Sequence, residues 1–205
     1  VNTQVQNTLL PEIGAPFGGG FYAGQILIAG VLHALVVAPK TEGEQDDIAW
    51  LESEQHVAGA GSYNDGMQNT IAMLEAGSEL AQWARGLRID GHADWYVPSQ
   101  DELEVIYRSL KPTARENTLY GRSGVNASSV PPTLAYSANL PAKTEATDFA
   151  EGVEQAFASE WYWSSTQHAA YDDFAWSQGF SYGYQTYSSK SARLRARAVR
   201  RLIIQ

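Results

Sequence analysis

The closing stretch Lys190-Ser-Ala-Arg-Leu-Arg-Ala-Arg-Ala-Val-Arg-Arg constrains the fold more than any other part of the chain. Over Arg193–Arg197 charged and apolar residues alternate strictly, the period of two that a strand supports. Arg193, Arg195 and Arg197 fall on one face, and Leu194, Ala196 and Ala198 on the other. Such a strand needs a core on one side and counter-charges on the other. The counter-charges lie upstream: the 205 residues carry a net charge of −9, with 8 Lys/Arg against 21 Asp/Glu in residues 1–160 and 6 against 2 in residues 161–205. The arginines are therefore expected to pair within the fold, and no binding of nucleic acid is expected of so acidic a chain.

With 44% hydrophobic and 18% charged residues the chain reads as one globular domain with a real core. No run approaches the roughly 18 apolar residues of a membrane span, so no membrane insertion is expected. Val1-Asn-Thr-Gln lacks the basic and apolar regions of a signal peptide. Cysteine is absent, which removes disulfides, thiolate metal sites and Cys nucleophiles together.

Residues 1–13 read as a tail or attachment segment and residues 14–205 as the domain. Apolar runs on either side of Ala29-Gly30 predict a hairpin ended by Pro39. Thr41–Gln45 reads as an acidic loop leading to a short strand at Ile48–Trp50. After the turn Asn64-Asp-Gly, capped by Asn64 or Asp65, a helix is predicted over Met67–Ala76 with Ile71 and Leu74 as its apolar spacing. Gly77 stops it, and Ser78 caps a second helix through Arg85. Trp95–Pro98 is extended, and Ser99-Gln-Asp-Glu102 is a capping box before Leu103, Ile106, Tyr107 and Leu110. Residues 111–146, rich in Pro, Ser, Asn and Thr, read as a long surface excursion. Thr147 or Asp148 would cap a short helix carrying Phe149, Val153 and Phe157.

Ten of the chain's 23 aromatic residues lie between Trp161 and Tyr187. Within that span Ser181-Tyr-Gly-Tyr-Gln-Thr-Tyr-Ser-Ser has the composition of an antibody paratope, in which Tyr supplies amphipathic contact area and Ser and Gly adaptable polar contacts. The candidate contact residues are His168, Tyr171, Asp172, Asp173, Ser177, Ser181, Tyr182, Tyr184, Thr186, Tyr187 and Ser189. Tyr171, Asp172, Tyr182, Tyr184 and Tyr187 are expected to be exposed on one continuous face. Trp95, Trp161, Trp163 and Trp176 are expected to be framework. The plainer alternative is a Tyr-rich sheet face without a partner. Were the tyrosines buried, the site would move to the 111–146 excursion.

Trp95-Tyr-Val-Pro-Ser-Gln-Asp-Glu-Leu, Tyr162-Trp-Ser-Ser-Thr and Leu194-Arg-Ala-Arg-Ala-Val-Arg together carry a family resemblance over roughly residues 17–203. The chain resembles the C-terminal domain family of bacterial collagen-like adhesins, widespread in phage and prophage tail genes. That resemblance implies an α+β, C-type lectin-like fold with two main helices packed on twisted antiparallel sheets and long loop excursions. The fold is shared with formylglycine-generating enzymes and with variable proteins of diversity-generating retroelements, such as the phage major tropism determinant. In the latter, adenine miscopying at Asn codons yields Tyr, Ser, Asp, His, Phe, Ala, Thr or Gly, but never Trp, Gln, Lys or Glu. Between His168 and Lys190 only Trp176, Gln178, Gln185 and Lys190 lie outside that set.

Enzymatic readings find little support. His33, His56, His92 and His168 show no metal-ligand spacing, and Ser164-Ser165 sits in no nucleophile elbow. Asp46-Asp47 and Asp172-Asp173 are adjacent pairs that point to opposite faces of an extended chain. Asn64-Asp-Gly offers oxygens but no complete calcium loop, so no metal or cofactor is expected. The resulting expectation is a non-enzymatic receptor-binding domain at a phage or prophage tail-fibre tip, engaging a bacterial cell-surface protein or glycan. A homotrimer is the assembly such a role would use, although no heptad repeat is present. The rivals are a secreted or cell-surface bacterial adhesin binding polysaccharide, and a surface-glycan hydrolase.

Overall fold

The computed structural model describes residues 4–5, 10–120, 122 and 124–204. Within the expected N-terminal tail, residues 1–3 and 6–9 lie outside the described residues. Gln4–Val5 form β1, which pairs in parallel with the C-terminal strand, and Leu10 packs against the core beneath it.

The hairpin forms as its sequence dictates. β3 (Gly20–Ile28) and β4 (Val31–Val37) meet at Ala29 and Gly30, both with positive φ (50° and 78°), the conformation of a tight hairpin turn. With β2 (Pro16–Phe17) and β10 (Val199–Ile204) they make a five-stranded sheet of order β1-β10-β4-β3-β2. The second sheet runs β5-β9-β6-β7-β8: β5 (Glu44–Ala49), β9 (Arg193–Arg197), β6 (Trp161–Gln167), β7 (Phe174–Gly179) and β8 (Gln185–Ser189). Each sheet combines antiparallel pairs with one parallel pair, β1/β10 and β6/β9, so the sheets are mixed.

Among the described residues four helices complete an α+β architecture where two main ones were expected: α1 (Lys40–Gly43), α2 (Gly66–Glu75), α3 (Glu79–Gly86) and α4 (Gln100–Leu110). The predicted acidic loop at Thr41–Gln45 is instead α1 running directly into β5, because Glu44 pairs across the sheet with Arg197. α2 starts at an Asp65 cap (Asp65 Oδ1 accepts from Gln68 N at 3.0 Å), but its buried face is Gly66, Asn69, Thr70 and Met73. Ile71 and Leu74 are exposed, because the inward side combines Met73, in the apolar core, with Asn69 and Thr70, which serve backbone groups of neighbouring loops. Asn69 Nδ2 donates to Ser62 O (2.7 Å), and Thr70 Oγ1 accepts from Val97 N (3.1 Å). The helix expected after Thr147 shortens to a 3₁₀ turn, Thr147–Phe149, with Phe149 and Phe157 buried and Val153 exposed.

α4 is the centre of the domain. Its capping box is complete: Ser99 Oγ accepts from Glu102 N at 3.4 Å, and Glu102 Oε2 accepts from Ser99 N at 2.7 Å. Leu103, Ile106, Tyr107 and Leu110 bury into one core with Ile26 and Leu35 of the first sheet, Tyr162 of the second and Phe180 just after β7, each such side chain contributing about 1.5–3 kcal/mol. A second core packs α2 and α3 against Trp163, Ala175 and Ala196, with Trp50 and Val97.

The alternating arginines behave as their pattern requires. Arg193 pairs with Asp47 (3.1 Å) and Glu52 (3.2 Å), and Arg195 lies between Glu44 (3.3 Å) and Glu160 (3.0 Å). Arg197 is buried and donates to Ala38 O, Gln155 O and Gln155 Oε1, with Glu44 at 3.7 Å. Burial lowers its pKa to about 10. On β10, Arg200 forks onto Asp94 (2.8 and 2.9 Å) and Arg201 pairs with Asp65 (2.8 Å).

Candidate functional site

β7 and β8 pair so that Phe174 faces Ser189, Trp176 faces Tyr187 and Gln178 faces Gln185. These residues share one side of the sheet by strand alternation. Toward the core that side is closed by the Gln pair. Gln185 Nε2 donates to Gln178 Oε1 (3.3 Å), Gln178 Nε2 donates to Tyr136 Oη (3.1 Å), and Gly124 N donates to Gln185 Oε1 (3.1 Å). The two glutamines thus fasten the 111–146 excursion to the sheet.

Further along the same side the rings emerge. His168 stacks on Tyr171 (4.8 Å between centroids, 14° between planes) and lies 4.4 Å from Tyr187 and 5.5 Å from Trp176. Tyr171 is 51% exposed and Tyr187 39%, while Trp176 and His168 are half-buried. His168 Nδ1 accepts from Ala170 N (3.2 Å) and Tyr171 N (3.1 Å), which requires a lone pair there, and burial lowers its pKa in the same direction. The ring is therefore a neutral organiser of its own loop.

That loop is pinned from below by Lys190, which is fully buried. Its ammonium donates to Gln55 O (2.7 Å), Gln167 Oε1 (2.6 Å) and Asp172 O (2.5 Å), and lies 4.7 Å from the centroid of Trp50. Three acceptors match the three hydrogens of a charged amine, while burial lowers its pKa to about 8. Asp172 and Asp173 are exposed, with Asp172 Oδ1 2.8 Å from His56 Nδ1. Ser189 and Ser191 both donate their hydroxyls to Glu54, holding its carboxyl below the usual carboxylate range.

The remaining candidates lie elsewhere. Tyr184 is half-buried between Trp161 (5.6 Å) and Tyr120 (5.4 Å). Trp161 is cross-strand from Gly179 and its ring covers that glycine. Gly179 is three residues from Trp176 and so on the opposite side of β7. Tyr182 is exposed at 47% with Arg115 over its ring (5.6 Å), and half-buried Ser181 accepts from Thr113 Oγ1 through its carbonyl (3.3 Å). Thr186 is half-buried on the Ser177 side, and Ser177 itself is fully buried with its hydroxyl directed at Thr186 O (3.5 Å). The expected single face is thus two. His168, Tyr171, Tyr187 and Ser189 share one side, with Asp172 and Asp173 exposed in the turn before β7; Tyr184 and Thr186 lie on the other side, Ser181 and Tyr182 in the β7–β8 turn, and Ser177 is fully buried. Trp161 is not core but the wall of the second patch.

Two residues outside the sequence-based set complete the first patch. Tyr63 lies against Trp176 (6.3 Å), and Arg122 sits over the Tyr63 ring (Cζ to centroid 4.6 Å) while pairing with Asp101 (2.8 Å). The one signal for Tyr63 was a lone aromatic beside the Asn64-Asp-Gly turn. Nothing local marked Arg122. Among the described residues no group of three or more His, Asp or Glu side chains could hold a metal ion, and no helix is long and apolar enough to cross a membrane. A concavity of about 930 Å³ lies between residues 12–15, Arg108–Ser109 and residues 140–148, away from every candidate residue. The family model of the Lcl C-terminal domain matches residues 41–200, the α1-to-β10 body that carries both patches. No curated protein matches the chain.

Proposed function

The chain belongs to the Lcl C-terminal domain family, and from that premise we propose that it is a non-enzymatic receptor-binding domain of a phage or prophage tail fibre. Family membership associates it with collagen-like adhesins and phage-type proteins. The finer reading is ours: the domain has a C-type lectin-like fold, stands at a fibre tip as a homo-oligomer, and grips a bacterial surface protein or glycan with the His168–Ser189 side.

One observation carries the reading. Tyr171 and Tyr187 keep their rings outside on a scaffold locked by buried Gln178, Gln185 and Lys190, although exposed rings contribute little to folding and a monomer without partners gains nothing from grouping them. The same partition supports a diversified surface. Of the four residues here that adenine miscopying cannot produce, three are buried and Trp176 is half-buried. Several such domains on one fibre would multiply weak contacts into high avidity.

The test is adhesion of the labelled domain to a panel of bacterial strains. Tyr171→Ala/Tyr187→Ala should abolish adhesion to the strain the wild type binds, at an unchanged melting temperature. Adhesion equal to wild type in that variant would defeat the reading. A gene neighbourhood of tail genes separates the fibre from the secreted adhesin.

A further inference from the structure

We propose that the ligand of this surface is a neutral oligosaccharide, held along a ribbon of rings running from Tyr171 through His168, Tyr187 and Trp176 to Tyr63, with Arg122 at its end. The proposal rests on the reading that the His168–Ser189 side faces the ligand. It goes further in naming the ligand class and in adding two residues from other loops.

The ribbon is continuous. Neighbouring centroids lie 4.8 Å (Tyr171–His168), 4.4 Å (His168–Tyr187), 5.8 Å (Tyr187–Trp176) and 6.3 Å (Trp176–Tyr63) apart. Arg122 then covers the far end at 4.6 Å. The planes turn along the row, by 14°, 53°, 85° and 58° between neighbours, so an elongated ligand with repeated C–H-lined faces meets ring faces at some points and ring edges at others. The negative face of an aromatic ring attracts the weakly positive C–H groups of a sugar face, and leaves the sugar's edge hydroxyls free for polar partners.

Such partners are in place. Trp176 Nε1 and Arg122 Nη1 are buried and have no hydrogen-bond partner among the described residues. Buried polar groups left unpaired are rare and call for a water or a ligand. A hydroxyl oxygen accepts from an indole N–H and a guanidinium N–H alike.

Charge selects a neutral sugar. Arg122 is engaged by Asp101, and Arg193, Arg195, Arg197, Arg200 and Arg201 by other carboxylates. Asp172 and Asp173 stand exposed at the rim of a chain of net charge −9, which repels a polyanion.

The experiment has two arms. In the first, an array of neutral hexose and N-acetylhexosamine oligosaccharides is probed beside heparin oligosaccharides. Wild type should bind at least one neutral member, and Tyr63→Ala and Tyr171→Ala should each weaken it by about tenfold or more with unchanged melting temperature. Heparin binding without neutral binding overturns the proposal, as does a Tyr63→Ala variant that binds the neutral sugar like wild type. In the second arm, adhesion to whole bacteria is measured before and after mild periodate oxidation, which cleaves vicinal diols. Loss of adhesion supports the proposal. Adhesion that survives periodate but is removed by protease overturns it, and leaves the receptor-binding reading standing if Tyr171→Ala/Tyr187→Ala still abolishes it. Adhesion indifferent to that double variant sinks both.

Discussion

Replacing Glu102 by alanine should cost far more than a capping box alone implies. Its carboxylate, fully buried, accepts from Ser99 N (2.7 Å), Gly66 N (3.1 Å) and Tyr96 Oη (2.6 Å), with Arg201 at 3.9 Å. It therefore satisfies the first donors of two helices, α4 and α2, and a buried phenol. Glu102→Ala leaves three buried donors without an acceptor, each costing about 1–3 kcal/mol. Release of the buried carboxylate, whose pKa desolvation raises, offsets part of that sum. The net loss should be about 3–5 kcal/mol, the range for breaking a buried charged cluster. Ser99→Ala removes only the long 3.4 Å bond to Glu102 N and should cost about 0.5–1 kcal/mol, the lower part of the range for a cap. Urea unfolding of both variants, followed by tryptophan fluorescence and circular dichroism at a common m-value, measures the two directly. A Glu102→Ala loss no larger than that of Ser99→Ala would refute the assignment of Glu102 as the junction of the two helices.

Arg197→Met should destabilise by about 2–5 kcal/mol, since Ala38 O and Gln155 O lose their buried donor and Glu44 is left with Arg195 alone, while exposed Arg193→Met should cost under about 0.5 kcal/mol; chemical denaturation separates them. Tyr171→Ala should lower stability by under about 0.5 kcal/mol and Trp163→Ala by about 3–5 kcal/mol, as calorimetry can check. Burial lowers the Lys190 pKa to about 8 in the fold from its ordinary value of 10.5 when unfolded, so the unfolded chain binds more protons between those values. This group alone makes stability rise with pH across that window; the wild-type minus Lys190→Met difference in unfolding free energy should show that slope, and a flat difference would contradict it.

How much was legible depended on whether a signal was local. The hairpin at Ala29-Gly30, the Ser99 capping box and the β9 alternation are each set by a few neighbouring residues, and all three formed as read. Glu44 was misread because its strand is decided by Arg197, far along the chain. On α2, Ile71 and Leu74 offered a helical period, yet the inward side combines Met73, in the apolar core, with Asn69 and Thr70, which serve backbone groups of neighbouring loops. The site was half legible. Its residue types announced contact, but Tyr184 and Tyr187 are three positions apart and an extended chain sends them to opposite sides. Tyr63 and Arg122 reach the patch only through the tertiary fold.

The candidate site's construction separates displayed side chains from those that hold the fold along the strand period. On the side bearing Trp176 and Tyr187, the inner end of β7–β8 is spent on Gln178 and Gln185, which hold the excursion, and the outer end on rings that hold nothing else. Lys190 performs the same division for the loop: its ammonium binds main-chain carbonyls of residues 55 and 172, not their side chains. The backbone of that loop is therefore fixed whatever side chains it displays. Gly183 completes the arrangement, because the β7–β8 turn crosses Tyr107 so closely that an added Cβ would lie 2.4 Å from its ring, at a φ of +69°. A surface anchored by glutamines, a lysine and a glycine can change its tyrosines, serines and aspartates without losing the fold that presents them.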